Sequence, residues 1–183
     1  MNEQIRILKP RKALNKAFLK VKPNRTEIER FKTNLIQLLD RISDNESEEF
    51  HKNLVSDFLK DTYYKQNHFI NTKGRNDLVI HNTSNASGTV GVIIEAKKPT
   101  NKSEMLKLPA SGDTKEQILS KINVKAFQEL VLYYLRERIT QKNIEIKYLI
   151  ATNINERMVH IRCNTFRKII CPKQKPCKAI QRI

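Results

Sequence analysis

The stretch GVIIEAKKP, residues 91–99, constrains the fold more than any other part of the chain. Val92, Ile93 and Ile94 form an unbroken β-branched run, the pattern of a strand built to be buried. It ends abruptly in Glu95 and Lys97, charges that a core excludes unless they are paired or put to use. Side chains alternate along a strand, so Glu95 and Lys97 share one face while Ala96 turns to the opposite layer.

A second apolar run, DLVIH (77–81), lies one short loop upstream, across NTSNASG (82–88). Two runs so closely spaced read as an antiparallel hairpin. Asp77 opens the first of these strands, and pairing brings Asp77 and Glu95 together at one end. Two carboxylates so placed offer oxygen ligands to Mg²⁺, which keeps several waters and binds phosphate as well. Such an ion stabilises charge on a phosphodiester and acidifies a bound water. Lys97 would then orient that water or stabilise the developing negative charge. Taken singly, an Asp and a Glu-x-Lys are common, and a Glu-Lys pair at a sheet edge is often only solvated. Their place at the end of an apolar run in a basic chain favours the site.

Helices account for much of the remainder. PRKALNKAFLKVK (10–22) predicts a short basic helix with Leu14, Phe18 and Val21 at helical spacing and Pro10 at its first turn. It would either track a phosphate backbone or present a solvated face. A second helix is expected over 25–42, with Ile28, Phe31, Leu35, Leu38 and Leu39 as its apolar stripe. The SDNESEE segment caps a third, running to about residue 64 through Phe50, Leu54, Val55, Phe58 and Leu59. NTKGRND marks a turn at Gly74, and residues 99–121 read as a long polar connection. VKAFQELVLYYLRERI (124–139) is a strong helix with Ala126, Leu130, Tyr133 and Tyr134 near one face. IEIKYLIATN (144–153) is a further strand. Helices, hairpin, helix and strand predict an α/β domain around a small mixed β-sheet flanked by helices.

The charge balance narrows the partners. Thirty-five Lys and Arg against 19 Asp and Glu give a formal net charge of +16, which favours DNA or RNA over a merely solvated basic surface. No apolar run approaches the roughly 20 residues needed to cross a bilayer. The first residues do not read as a secretory signal, so a cytoplasmic location without membrane association is expected. The three cysteines, Cys163, Cys171 and Cys177, match no zinc-ribbon or finger spacing.

NDLVI followed by VGVIIEAKK resembles the core motif of the PD-(D/E)XK nuclease superfamily, and FQELVLYYLRER resembles the helix that follows it. Over about residues 7–156, PRKALNKAFLKVKPNRTEIERFKTNL, EEFHKNLVSDFLKDTYY, NTKGRNDLVI, IIEAKKPTNKSEM and YLIATNI together resemble the N-terminal region of type IIG restriction–modification enzymes. The resemblance implies a restriction-endonuclease-like core over 45–156, preceded by a basic helical extension over 1–44. It implies Asp77 and Glu95 as metal ligands, Lys97 as the residue assisting phosphodiester hydrolysis, and Gln128 supporting the site. Tyr133 or Tyr134 would line it or pack against the sheet. An acidic residue on the first core helix is Glu49, with Glu48 second; either would otherwise serve only the helix dipole. Mg²⁺ is the implied cofactor, with Mn²⁺ able to substitute, and double-stranded DNA is the implied partner. Double-strand cleavage would call for a homodimer. Lys73, Arg75, Lys98, Arg11 and Lys12 are the basic residues expected to touch DNA. The family's NPPY methylation motif and its Gly-rich S-adenosylmethionine loop are absent, so S-adenosylmethionine belongs to the full-length family and not to this chain. The alternatives are a catalytically silent DNA-binding fragment and a nuclease of a repair or junction-resolving branch.

Residues 157–183 depart from what precedes them, with eight Lys or Arg, no Asp or Glu, and all the cysteines. Shifting the reading frame by one nucleotide permits text close to EWFIFDA and FEKLFA, a strand followed by an amphipathic helix. A frameshift near Glu156 is therefore expected, leaving 157–183 as an aberrant basic tail and the edge of the last strand uncovered. The coding DNA decides this.

Overall fold

In the computed structural model, which describes residues 10–13, 16–73, 76–154 and 158–162, GVIIEAKKP lies at the centre of a five-stranded sheet. Strands β1 (Ile70–Lys73), β2 (Asn76–His81), β3 (Val90–Ala96), β4 (Tyr148–Thr152) and β5 (Met158–Arg162) lie side by side in chain order. The β3–β4 pair is parallel and the other three pairs are antiparallel. The sheet is therefore mixed, as expected, and β2 and β3 form the expected hairpin. Among the described residues no helix is long and apolar enough to cross a membrane.

Both faces of β3 are covered, which explains its continuous apolar run. On one face Val79, Val90, Ile93, Leu149 and Ala151 pack against helix α5 (Lys125–Leu135) through Ala126, Phe127, Leu130, Tyr133 and Tyr134. On the other, Ile70, Leu78, Ile80 and Ile94 meet Val55 and Leu59 of helix α3 (Glu48–Leu59). Each Val, Leu, Ile or Phe among them contributes about 1.5–3 kcal/mol on full burial, so the sheet and its two flanking helices are the core.

Local chemistry fixes the helix starts. Asn24 and Glu27 form a reciprocal capping box at the head of helix α2 (Arg25–Asp40), both bonds at 2.8 Å. Ser47 Oγ accepts the Phe50 N–H at the head of α3. Helices α3 and α5 each run on into one π-helical turn, Lys60–Tyr64 and Arg136–Thr140.

Several expectations need correction. The basic helix over 10–22 reduces to helix α1 (Pro10–Ala13) and a 3₁₀ turn, Phe18–Lys20; Leu14 lies outside the described residues. Lys12, Lys16 and Lys20 would stack at i, i+4 spacing on a continuous helix, and their mutual repulsion disfavours it. Strand β1 is not among the expected strands, because among its described side chains only Ile70 turns to the core. The connection over 99–121 contains helix α4 (Lys115–Ile122), opened by a Thr114–Gln117 capping box, and buries Met105 and Leu106. The last expected strand shortens at its start to Tyr148–Thr152. Its outer edge is not bare, since Met158–Arg162, in the frame as written, pairs along all of β4. Residues 163–183, which include the three cysteines, lie outside the described residues.

Candidate active site

The parallel strands β3 and β4 end side by side, and their ladder continues one step further through the Lys97 N–H, which donates to Thr152 O at 2.8 Å. Ligand sites of open α/β sheets form beyond such carboxyl ends. Here Glu95 and Lys97 are buried, 1% and 2% exposed, and Asn153 is buried beside them at the end of β4. The next residue, Ile154, turns the chain away with φ of 66°, a left-handed conformation that a β-branched residue rarely adopts.

Lys97 is the hub. Its Nζ lies 2.6 Å from Glu95 Oε1 and 2.7 Å from Glu129 Oε2 of α5. Glu48 Oε1, from the first turn of α3, is 3.4 Å away, and Glu104 Oε2, from the β3–α4 connection, is 3.8 Å away. Four segments of the chain thus converge on one ammonium group. Glu48 also accepts the Lys98 N–H at 3.3 Å, joining the head of α3 to the end of β3. Glu104 is held by Lys125 Nζ at 3.2 Å, and its carbonyl accepts the Ala126 N–H, which fixes the connection against the head of α5.

These contacts set the protonation states. Burial by itself would lower the Lys97 pKa, but hydrogen bonds to Glu129 and Glu95, with the Glu95 and Glu48 charges, raise it well above the ordinary lysine value. These carboxylates therefore favour the charged form of Lys97. Burial pushes Glu129 up, and its hydrogen bond to Lys97, with the Lys97 and Lys125 charges, outweighs this and holds it below the usual carboxylate range. Glu104 is lowered in the same way, against burial, by hydrogen bonds to Asn101 and Lys125.

The expected site residues divide into three groups. Glu95 and Lys97 are brought together, on the same face as predicted. Asp77 lies in β2, where Leu78 pairs with Ile94, so the register one step on sets Asp77 across from Glu95. Its carboxylate, the Lys73 side chain and all of Arg75 lie outside the described residues. Gln128 and Glu49 are placed elsewhere. Gln128 is exposed and donates to Asn123 Oδ1 at 3.0 Å, while Glu49 is 63% exposed and pairs with Lys52. Their neighbours Glu129 and Glu48 occupy the site instead. Tyr133 and Tyr134 are both buried in the α5 core. Lys98 is half-buried, and Arg11 and Lys12 are exposed on α1.

Glu129 was legible in principle. On a helix it stacks between Ala126 at i−3 and Tyr133 at i+4, both buried, whereas Gln128 is turned about 100° away. An acid on the buried stripe of a core helix signals a partner. Glu104 carries no comparable signal, because it stands in an irregular connection.

All the donors gathered here are oxygens, and four carboxyls face two ammonium groups, Lys97 and Lys125. An oxygen-only set with excess negative charge suits a hard divalent cation. Among the described residues no group of three or more His, Cys, Asp or Glu is arranged to hold an ion. No curated protein and no solved structure matches the chain. A family model matches residues 8–180, reaching past residue 157 into the basic segment, and the chain belongs to that family, described as Domain of unknown function (DUF7149).

Proposed function

We propose that this chain is a Mg²⁺-dependent DNA endonuclease domain with a PD-(D/E)XK core, the cleavage module of a type IIG restriction–modification enzyme. The observation that carries the reading is the buried Glu95–Lys97 pair at the end of β3, with Asp77 across from it in register. A net charge of +16 supports a DNA partner.

In this reading Asp77 and Glu95 hold Mg²⁺, which when bound supplies Lewis-acid stabilisation of the phosphate and a more acidic water. Lys97 contributes a fixed positive charge aimed at the phosphate oxygens, where negative charge grows in the transition state. It acts by electrostatics and by orienting the water. Glu129 and Glu48 keep the ammonium in place from opposite helices, making them positioning residues rather than catalytic ones.

The test is nicking of supercoiled plasmid by the purified chain. Parent protein with Mg²⁺ is expected to convert it to open circles, chelation to stop this, and Lys97→Ala to reduce the rate at least a hundredfold. Equal cutting by parent and variant would mean a contaminating nuclease. DNA binding without any cutting would identify a silent DNA-binding module instead.

A further inference from the structure

A second concavity, of about 550 Å³, lies between α3, the π-helical turn after it and the edge strand β1. That volume is within the range of about 300–1,000 Å³ of small-molecule sites. Its helical wall is Glu49, Asn53 and Ser56 of α3 with Lys60 of the π turn, at i, i+4, i+7 and i+11. These positions form one stripe, beside the one that packs on the sheet through Val55 and Leu59. It is polar throughout, with Glu49 and Asn53 exposed and Ser56 buried. The opposite wall carries His68, Phe69 and Asn71, above a floor that includes Ile70 and Leu78.

The positive charge is gathered at one end by the backbone. In the π turn the Lys65 N–H donates to Lys60 O at 3.0 Å, which stacks Lys65 over Lys60 as an α-turn would not. Lys60 has no ion-pair partner among the described residues, and the exposed Lys65 meets Asp61 only at 3.8 Å. His68 lies at the same end. Its Nδ1 is 2.8 Å from His81 O, and since a carbonyl can only accept, Nδ1 carries the proton and Nε2 is left to accept from a ligand N–H or O–H. The T-shaped contact with Tyr64 at 5.4 Å fixes the ring. Glu49 is paired with Lys52 and stands eleven residues, about 16 Å of helix axis, from Lys60. The groove is thus cationic at one end, amide- and hydroxyl-lined along α3, and presents the partly exposed ring of Phe69.

We infer that this groove binds a nucleotide, with the phosphate at Lys60 and Lys65, the base against Phe69, and His68, Asn53 and Ser56 bonding the base edge or sugar. The same chemistry serves a free nucleoside monophosphate or one nucleotide of a single strand. The inference stands apart from the cleavage reading, because Lys97 and its carboxylates do not line the groove.

The experiment is titration of the ¹⁵N-labelled full chain with dAMP, with inorganic phosphate and with a six-nucleotide oligo-dA strand. Amide shifts centred on Asn71 and Thr72 are expected with a nucleotide probe, and weaker ones with phosphate. Lys60→Ala/Lys65→Ala should weaken nucleotide binding at least tenfold. Phe69→Ala should weaken nucleotide binding while leaving phosphate binding unchanged. Lys147→Ala, which removes a charge beside β4, should have no effect. Melting curves of each variant confirm that these exposed or half-buried changes leave the fold intact. Binding of dAMP identifies a mononucleotide site, and binding of the oligonucleotide alone identifies a strand site. No response to either, or unchanged affinity in the double lysine variant, overturns the inference.

Discussion

Lys97 carries the largest single-residue consequence, because removing it leaves buried carboxylates without a counter-charge. Breaking one partner out of a buried ion pair destabilises by about 3–5 kcal/mol, since the remaining charge keeps its desolvation penalty. Lys97→Met, which preserves the stem, is expected to cost that much in urea unfolding. Lys97→Met combined with Glu129→Gln should recover part of it; a double variant no better than the single one would mean that Glu129 is not the orphaned charge. The pH dependence follows from the same contacts. Glu129 is held below the usual carboxylate range, so its contribution is complete above the unfolded value near about 4.3 and is lost as pH falls through its lower folded value. Lys97 is raised, so its contribution is complete below about 10.4 and fades only in strong alkali. The melting temperature of the parent should therefore drop on the acid side, and Glu129→Gln should flatten that drop. An acid limb of unchanged steepness in Glu129→Gln would show that other carboxylates govern it.

Among the elements, α5 and β3 are tied at the end remote from the site by Asn143. Its Nδ2 donates to Val90 O at 2.9 Å and to Glu137 Oε2 at 3.2 Å, and its Oδ1 accepts the Glu145 N–H at 2.9 Å. Asn143→Ala removes a donor from the buried Val90 carbonyl and one from the buried Glu137, and should destabilise by about 1–3 kcal/mol. Asn143→Asp should be worse, with its negative charge against Glu137. Thermal unfolding of the two variants orders them, and the reverse order would mean that the Val90 and Glu137 contacts are not the ones that matter. The sequence revealed α3, α5, the hairpin and β4 because each buries a periodic apolar set that can be counted. It did not reveal β1, whose pairing to β2 is set by backbone bonds and one core residue. Helix α4 announced itself in the Thr114–Gln117 box, which the polar character of its surroundings masked. At the site the strand residues were legible because alternation along a strand has only two outcomes. The helix residues were displaced by one position, Gln128 for Glu129 and Glu49 for Glu48, because choosing a helix face needs the buried stripe located to within one residue.

At the scale of the whole molecule, the net charge of +16 predicts an affinity for DNA that can be tested apart from the proposed chemistry. A protein that neutralises phosphates releases counterions, and log K falls with log salt by about 0.9 for each phosphate contacted on duplex DNA. If about six contacts form, affinity for a short duplex should fall about a thousandfold between 50 and 200 mM salt. Fluorescence polarisation across that range measures the slope. A slope near zero would reduce the charge to a solvated surface and remove DNA as the partner. The buried Lys97 is enclosed by carboxylates and adds little to the field outside, so Lys97→Ala should bind with the slope of the parent while failing to nick. The carboxylate cluster acts in the opposite sense. Its excess negative charge repels a phosphate until a cation neutralises it, so Mg²⁺ should tighten binding of the parent to DNA at constant ionic strength, and Glu95→Gln should weaken that dependence. If Mg²⁺ only competes with the protein for phosphates, affinity will fall in parent and variant alike, and the cluster is then structural.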